Sequence, residues 1–82
     1  MSPAGKAENV GNRVRDLRIE QGLTQEELGQ VVGLTRQSII AIERGRFTPS
    51  IHTVLMLARA LKTSVDNLFW LTGSDEEIGE IA

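Results

Sequence analysis

Apolar residues recur along this chain three and four positions apart, the spacing of one helix face. Nowhere do they alternate with polar residues as a half-buried strand requires. Val10, Val14 and Leu17 stand at i, i+4 and i+7. Asn9 is placed to cap a helix that carries them, and Gly22 to end it in a left-handed turn. Thr24-Gln25-Glu26-Glu27 has threonine at the N-cap and glutamate three residues on. That capping box opens a second helix, with Leu28, Val31 and Val32 inward and Gly33 as its stop. Thr35 caps a third helix that runs to Arg44 and halts at Gly45, with Thr35, Ile39 and Ile42 on the core side. Ser50 caps a fourth, with Ile51, Val54, Leu55, Ala58 and Leu61 inward. Thr63 or Ser64 caps a short fifth, carrying Val65, Leu68 and Phe69. The expectation is an all-α chain of five helices with no sheet.

Only about three residues, a glycine among them, separate the second helix from the third. Such a turn is the local signature of a helix-turn-helix. On a wheel of about 100° per residue, Gln37, Ile40, Ala41 and Arg44 gather opposite the core, with Arg36 at the margin. Glutamine pairs bidentately with adenine, arginine with guanine, and a small apolar group touches a thymine methyl, so the face suits a DNA groove. A solvated helix face carries the same long polar side chains, and the wheel alone does not separate the two readings.

Composition narrows the classes. At 82 residues there is room for one domain, and hydrophobic residues at 40% suffice for a small core. Cysteine is absent and histidine occurs once, as His52, so no disulfide or thiolate metal site is expected, and no metal or cofactor. Ser38 has no partners for an acyl-transfer triad, and no Gly-rich phosphate loop or acid pair at catalytic spacing occurs; no enzyme is expected. No apolar run approaches a membrane span and no signal-peptide core is present, which points to a soluble, cytoplasmic protein without a membrane partner. The net charge of −2 is unevenly spread. Asp75, Glu76, Glu77 and Glu80 put −4 on the tail, Lys6 and Glu8 cancel, and residues 9–73 carry +2. A local basic face matters more than the sum. The division expected is a flexible arm at 1–8, a DNA-binding domain at 9–73 and an acidic tail at 74–82. With Ile78 and Ile81 at i, i+3, that tail is either frayed, the reading its composition favours, or a short docking helix.

Particular runs carry a family resemblance. Asn12-Arg13-Val14-Arg15-Asp16-Leu17-Arg18, Gly22-Leu23-Thr24-Gln25-Glu26-Glu27-Leu28, Gly33-Leu34-Thr35-Arg36-Gln37-Ser38-Ile39 and Ile42-Glu43-Arg44-Gly45-Arg46 are the core of it. Pro49-Ser50-Ile51, Leu57-Ala58-Arg59-Ala60-Leu61 and Ser64-Val65-Asp66-Asn67-Leu68-Phe69 extend it. Together they resemble the Cro/phage-repressor (Xre-like) helix-turn-helix family across residues 9 to 73. The resemblance implies a compact five-helix bundle that represses from operator DNA. It implies that Gln25 bonds a phosphate and braces the recognition helix, that Thr35, Arg36, Gln37 and Ala41 reach base edges with Ile40 beside them, and that Arg46, Thr48 and Ser50 touch the backbone. Arg44, where the helix leaves the groove, is expected on phosphate. Arg13, Arg15, Arg36, Arg44 and Arg46 all fall on or beside these elements. The family also pairs a first-helix arginine with a glutamate late in the third helix, expected here as Arg13 with Glu43. Gly29 departs from the family's usual alanine, at a cost of up to ~1 kcal/mol to the helix, while still allowing close packing.

The partner expected is double-stranded DNA, a palindromic operator bound by a homodimer, with no small-molecule ligand. Phe69, Trp70 and Leu71 are the expected dimer interface, since exposed aromatics anchor interfaces. Trp70 folding back onto the bundle is the other reading of that ring. A different class of function stays open: a protein-interaction module such as an antitoxin or anti-regulator, built on the same scaffold.

Overall fold

The structure, a computed structural model, describes residues 9–72. The arm at 1–8 and the acidic tail lie outside the described residues. In chain order the elements are β1 (Asn9–Asn12), α1 (Val14–Glu20), α2 (Gln25–Val32), α3 (Arg36–Glu43), α4 (Ile51–Ala60), α5 (Val65–Leu68) and β2 (Phe69–Thr72). The five helices are those the punctuation predicts. The expectation of no sheet is wrong, because β1 and β2 pair antiparallel, with Asn9 opposite Thr72 and Asn12 opposite Phe69. The Arg13 N–H donates to the Leu68 carbonyl at 3.0 Å and carries the ladder into α5.

That ribbon corrects the start of the first helix. Asn9 and Val10 lie in the strand, and α1 begins at Val14. Asn12 replaces Asn9 as the starting side chain, its Oδ1 accepting from the Val14 N–H at 3.0 Å. Phe69 likewise leaves the fifth helix to open β2, half-buried against the core.

The core is Val14, Leu28, Val32, Ile39, Ile42, Leu57, Ala58, Leu61 and Leu68. Each fully buried leucine or isoleucine contributes about 1.5–3 kcal/mol through its apolar area. The stripes are narrower than the apolar pattern suggests. Val31, Ile51 and Leu55, expected inward, are 55%, 69% and 54% exposed. Val31 sits one residue, about 100°, from buried Val32, and a domain this small has no second layer to cover the flank. Thr35, expected on the core side, is exposed because it caps α3.

Capping follows the sequence closely. The Thr24 Oγ1 accepts from the Glu27 N–H at 3.0 Å, and the Glu27 carboxylate accepts from the Thr24 N–H at 2.9 Å. Thr35, Ser50 and Ser64 accept from Ser38, Thr53 and Asn67 in the same way. At the C-terminal end of α4 the Thr63 N–H reaches the Ala58 carbonyl and the Lys62 N–H that of Arg59, a Schellman closure. Its left-handed residue is Lys62, with φ of 60°, where the other such turns have glycine.

Candidate nucleic-acid interface

The turn between α2 and α3 is set by backbone contact. Gly33 ends α2 at φ 75°, ψ 30°, and the Leu34 N–H returns to the Gly29 carbonyl at 2.8 Å. Gly29 is buried where this turn folds back, and a Cβ there would stand 2.5 Å from the Leu34 carbonyl oxygen. An alanine therefore requires the turn to move outward. Close approach offsets the helix-propensity cost that glycine brings.

Three side chains hold α3 from behind. The Arg18 Nε donates to the Glu43 Oε2 at 2.6 Å, with side-chain exposures of 11% and 4%. A second Arg18 nitrogen donates to the Leu23 carbonyl at 2.8 Å, fixing the turn before α2. Gln25 donates to the Glu43 Oε1 at 3.1 Å. Asn12 donates to the Ile42 carbonyl at 3.0 Å, so one side chain accepts from the first N–H of α1 and satisfies an end carbonyl of α3. The C-terminal end of α3 is thus tied to α1, α2 and β1.

The expected Arg13–Glu43 pair is wrong; the arginine is Arg18. Because α1 starts only at Val14, Arg13 precedes its first turn, and the salt bridge to Glu43 is made by Arg18. Arg18 lies one turn on from buried Val14, which sets it at the edge of the inward face. Arg13 instead stands over Trp70, its guanidinium carbon 5.2 Å from the ring centroid. The i, i+4 relation of Arg18 to Val14 was the available signal for the right arginine; for Asn12 there was none, since its second partner is thirty residues away.

The outer face of α3 is as the wheel placed it. Arg36, Gln37 and the capping Arg44 are exposed, and Ile40 and Ala41 are half-buried beside them. Thr35 commits its hydroxyl to the cap, accepting from the Ser38 N–H and donating to the Ser38 Oγ, both at 3.1 Å. Its hydroxyl is thus engaged within the first turn of α3. Arg46 and Thr48 are exposed on the loop after α3, and Ser50 caps α4 with its hydroxyl engaged by Thr53. Gln25 is turned to Glu43, the bracing half of its expected role. On β2, Trp70 is 40% and Leu71 48% exposed. Trp70 lies across the strand from Gly11, where a Cβ would meet its indole Nε1 at 2.6 Å. The ring thus folds back onto β1 and is still partly open to solvent. Among the described residues no helix is long and apolar enough to cross a membrane, and no His, Asp or Glu cluster is set to hold a metal ion.

Two short helices joined by a glycine turn, the second locked from behind and bearing an exposed polar face, define the helix-turn-helix class. A helix-turn-helix (HTH_3) family model matches residues 14–68, and the chain belongs to that family. It is similar to the HTH-type transcriptional regulator YgzD of Bacillus subtilis, 42% identical over 60 residues, 73% of this chain and 91% of the relative. The restriction-modification controller protein C.AhdI of Aeromonas hydrophila superposes with a TM-score of 0.63 at 38% identity, over 67% of this chain and 83% of that one. The P22 c2 repressor, solved with a synthetic operator, superposes with a TM-score of 0.64 at 33% identity, over 66% and 82%.

Proposed function

We propose that this protein is a transcriptional regulator, a repressor, that binds double-stranded DNA sequence-specifically with α3 in the major groove. The observation that carries this is the brace of Arg18, Gln25 and Glu43. It fixes α3 rigidly while leaving Gln37, Ile40 and Ala41 facing outward. Pre-setting a reading helix lowers the ordering cost of binding. The P22 c2 repressor, solved on operator DNA, supports the same docking for the matching helix here.

In this reading Gln37 pairs with a base edge, and Ala41, Ile40 and the Thr35 methyl give apolar contact to thymine. Arg44, Arg46 and Thr48 lie where the helix and loop leave the groove, and they hold phosphates. Gln25 and Ser50, their side chains occupied internally, meet phosphate through the backbone N–H groups at the starts of α2 and α4. Two copies bind a palindromic operator, joined through the exposed Trp70 and Leu71 of β2, with Phe69 serving the core of each copy.

The test is selection of sites from random duplex DNA, with sedimentation of the protein alone and on the best site. The expected result is a short inverted repeat bound by two chains. Recovery of no preferred sequence overturns sequence-specific binding, and a monomer on the site overturns the dimer. The protein-interaction reading has one observation in its favour, the exposed apolar pair Ile51 and Leu55 one turn apart on α4. It gains if DNA binding is weak and abolished by modest salt while a protein partner binds tightly.

A further inference from the structure

At the start of α2 an open cleft of about 560 Å³ is lined by Arg15, Arg18, Thr24, Gln25, Glu26 and Arg36, together with the Gly22–Leu23 turn. Three arginines from three elements meet there, and they are not equivalent. Arg18 is spent internally, on Glu43 and the Leu23 carbonyl. Arg15 and Arg36 are exposed, and among the described residues neither has a carboxylate within salt-bridge distance or a side-chain hydrogen bond. Glu43, the carboxylate next to Arg18, is already held by Arg18 and Gln25. The remaining acid of the cleft is Glu26, exposed in the first turn of α2.

The position of Arg36 on α3 points the same way. At about 100° per residue it lies roughly 20° from Glu43 and roughly 100° from Gln37. Glu43 faces α1 and α2, so Arg36 stands at the margin of α3 nearest them, and it lines a cleft that Gln37, Ile40 and Ala41 do not. Two guanidinium groups lining one cleft, neither paired among the described residues, beside the braced start of the reading unit, suit a shared anion.

We propose that Arg15 and Arg36 clamp one DNA backbone phosphate across this cleft, so that Arg36 positions the protein and does not read a base. The inference rests on the DNA-binding reading above. It gives Arg15, which the sequence placed only on or beside the DNA-contacting elements, a specific partner, and it moves Arg36 from base edge to backbone. Glu26, facing the same phosphate, opposes the contact.

The experiment is a set of titrations on the selected site, its single-base variants and random duplex, at several salt concentrations. The proteins compared are wild type, Arg15→Ala, Arg36→Ala, the double variant, Glu26→Gln and Gln37→Ala, with circular dichroism confirming the fold of each. If two arginines share one phosphate, each single variant loses affinity on all duplexes alike. Each lowers the salt slope by less than one unit, and the double variant by about one, with a loss near tenfold at 0.1 M salt. Glu26→Gln tightens binding several-fold without altering base preference, which a merely structural role for the cleft would not produce. Unchanged affinity in Arg15→Ala overturns the clamp. A double variant that loses about two units of slope overturns the shared phosphate. Relaxed base preference in Arg36→Ala returns that residue to reading. Wild type and Gln37→Ala separate this from the parent reading: wild type that binds no duplex removes both, whereas discrimination lost only in Gln37→Ala leaves the parent reading standing.

Discussion

Arg18 and Glu43 form a partly buried ion pair 2.6 Å long that joins the last turn of α1 to the last residue of α3. Its carboxylate also accepts from Gln25, so α1, α2 and α3 converge on a single side chain. Recognition geometry and fold stability therefore depend on the same group.

Removing Glu43 leaves Arg18 charged and partly buried, without its carboxylate partner. Glu43→Ala should cost up to about 3–5 kcal/mol, the figure for a fully buried pair and most of what so small a core supplies. The expected result in a thermal melt is a chain largely unfolded at 37 °C. Replacing both members, as Arg18→Met with Glu43→Leu, removes the stranded charge and should recover part of the loss. A Glu43→Ala protein with unchanged melting temperature would sink the assignment.

Lys62 holds a left-handed conformation whose φ of 60° crowds its Cβ. Lys62→Gly keeps the Schellman closure and relieves that crowding, against the extra entropy glycine loses on folding. The expected net gain is up to ~1 kcal/mol in denaturant unfolding, with the slope against denaturant unchanged. A loss of stability would show that the lysine side chain makes a contact worth more than the strain.

Trp70 is the single tryptophan, and its indole covers the Cα of Gly11. Gly11→Ala should lift the ring from β1, shift its fluorescence to longer wavelength and cost about 1–3 kcal/mol from overpacking. Arg13→Ala removes only the cation over the ring face, worth about 0.5–1 kcal/mol at an exposed site. Identical emission from Gly11→Ala and wild type would place Trp70 elsewhere.

How much of this was legible in the sequence depends on how local each cause is. Thr24, Thr35 and Ser50 announce their helices because a cap needs only the next three residues, and Gly33 and Gly45 announce their ends for the same reason. The end of α4 passes unmarked because Lys62 adopts the turn without glycine. The ribbon was hidden for a different reason. Asn9–Asn12 and Phe69–Thr72 pair across nearly the whole chain, each too short to show a period of two. Asn12 acts through a carbonyl thirty residues on, which no spacing rule encodes. The outward-facing residues of α3 were legible because an eight-residue helix locked on one side has only one face to show. Arg18 was displaced to Arg13 by misplacing the start of a single helix.

Reading and positioning should separate experimentally between Gln37 and Arg46. Gln37 is exposed one residue inside the N-terminus of α3, the end that enters a groove first, and its amide has both donor and acceptor for an adenine edge. Arg46 lies three residues beyond the helix, on an exposed loop. Its reach is suited to phosphate, whose charge is the same beneath every sequence. Gln37→Ala should therefore cost ~1–3 kcal/mol on the selected site, little on random duplex, and relax preference at one or two base pairs. Arg46→Ala should weaken binding to every duplex alike and reduce the salt slope by about one unit. The measurement is binding of each variant to the selected site, its single-base mutants and random DNA at several salt concentrations. If Gln37→Ala keeps full discrimination while Arg46→Ala loses it, the sequence is read from the loop, and α3 is the positioning element.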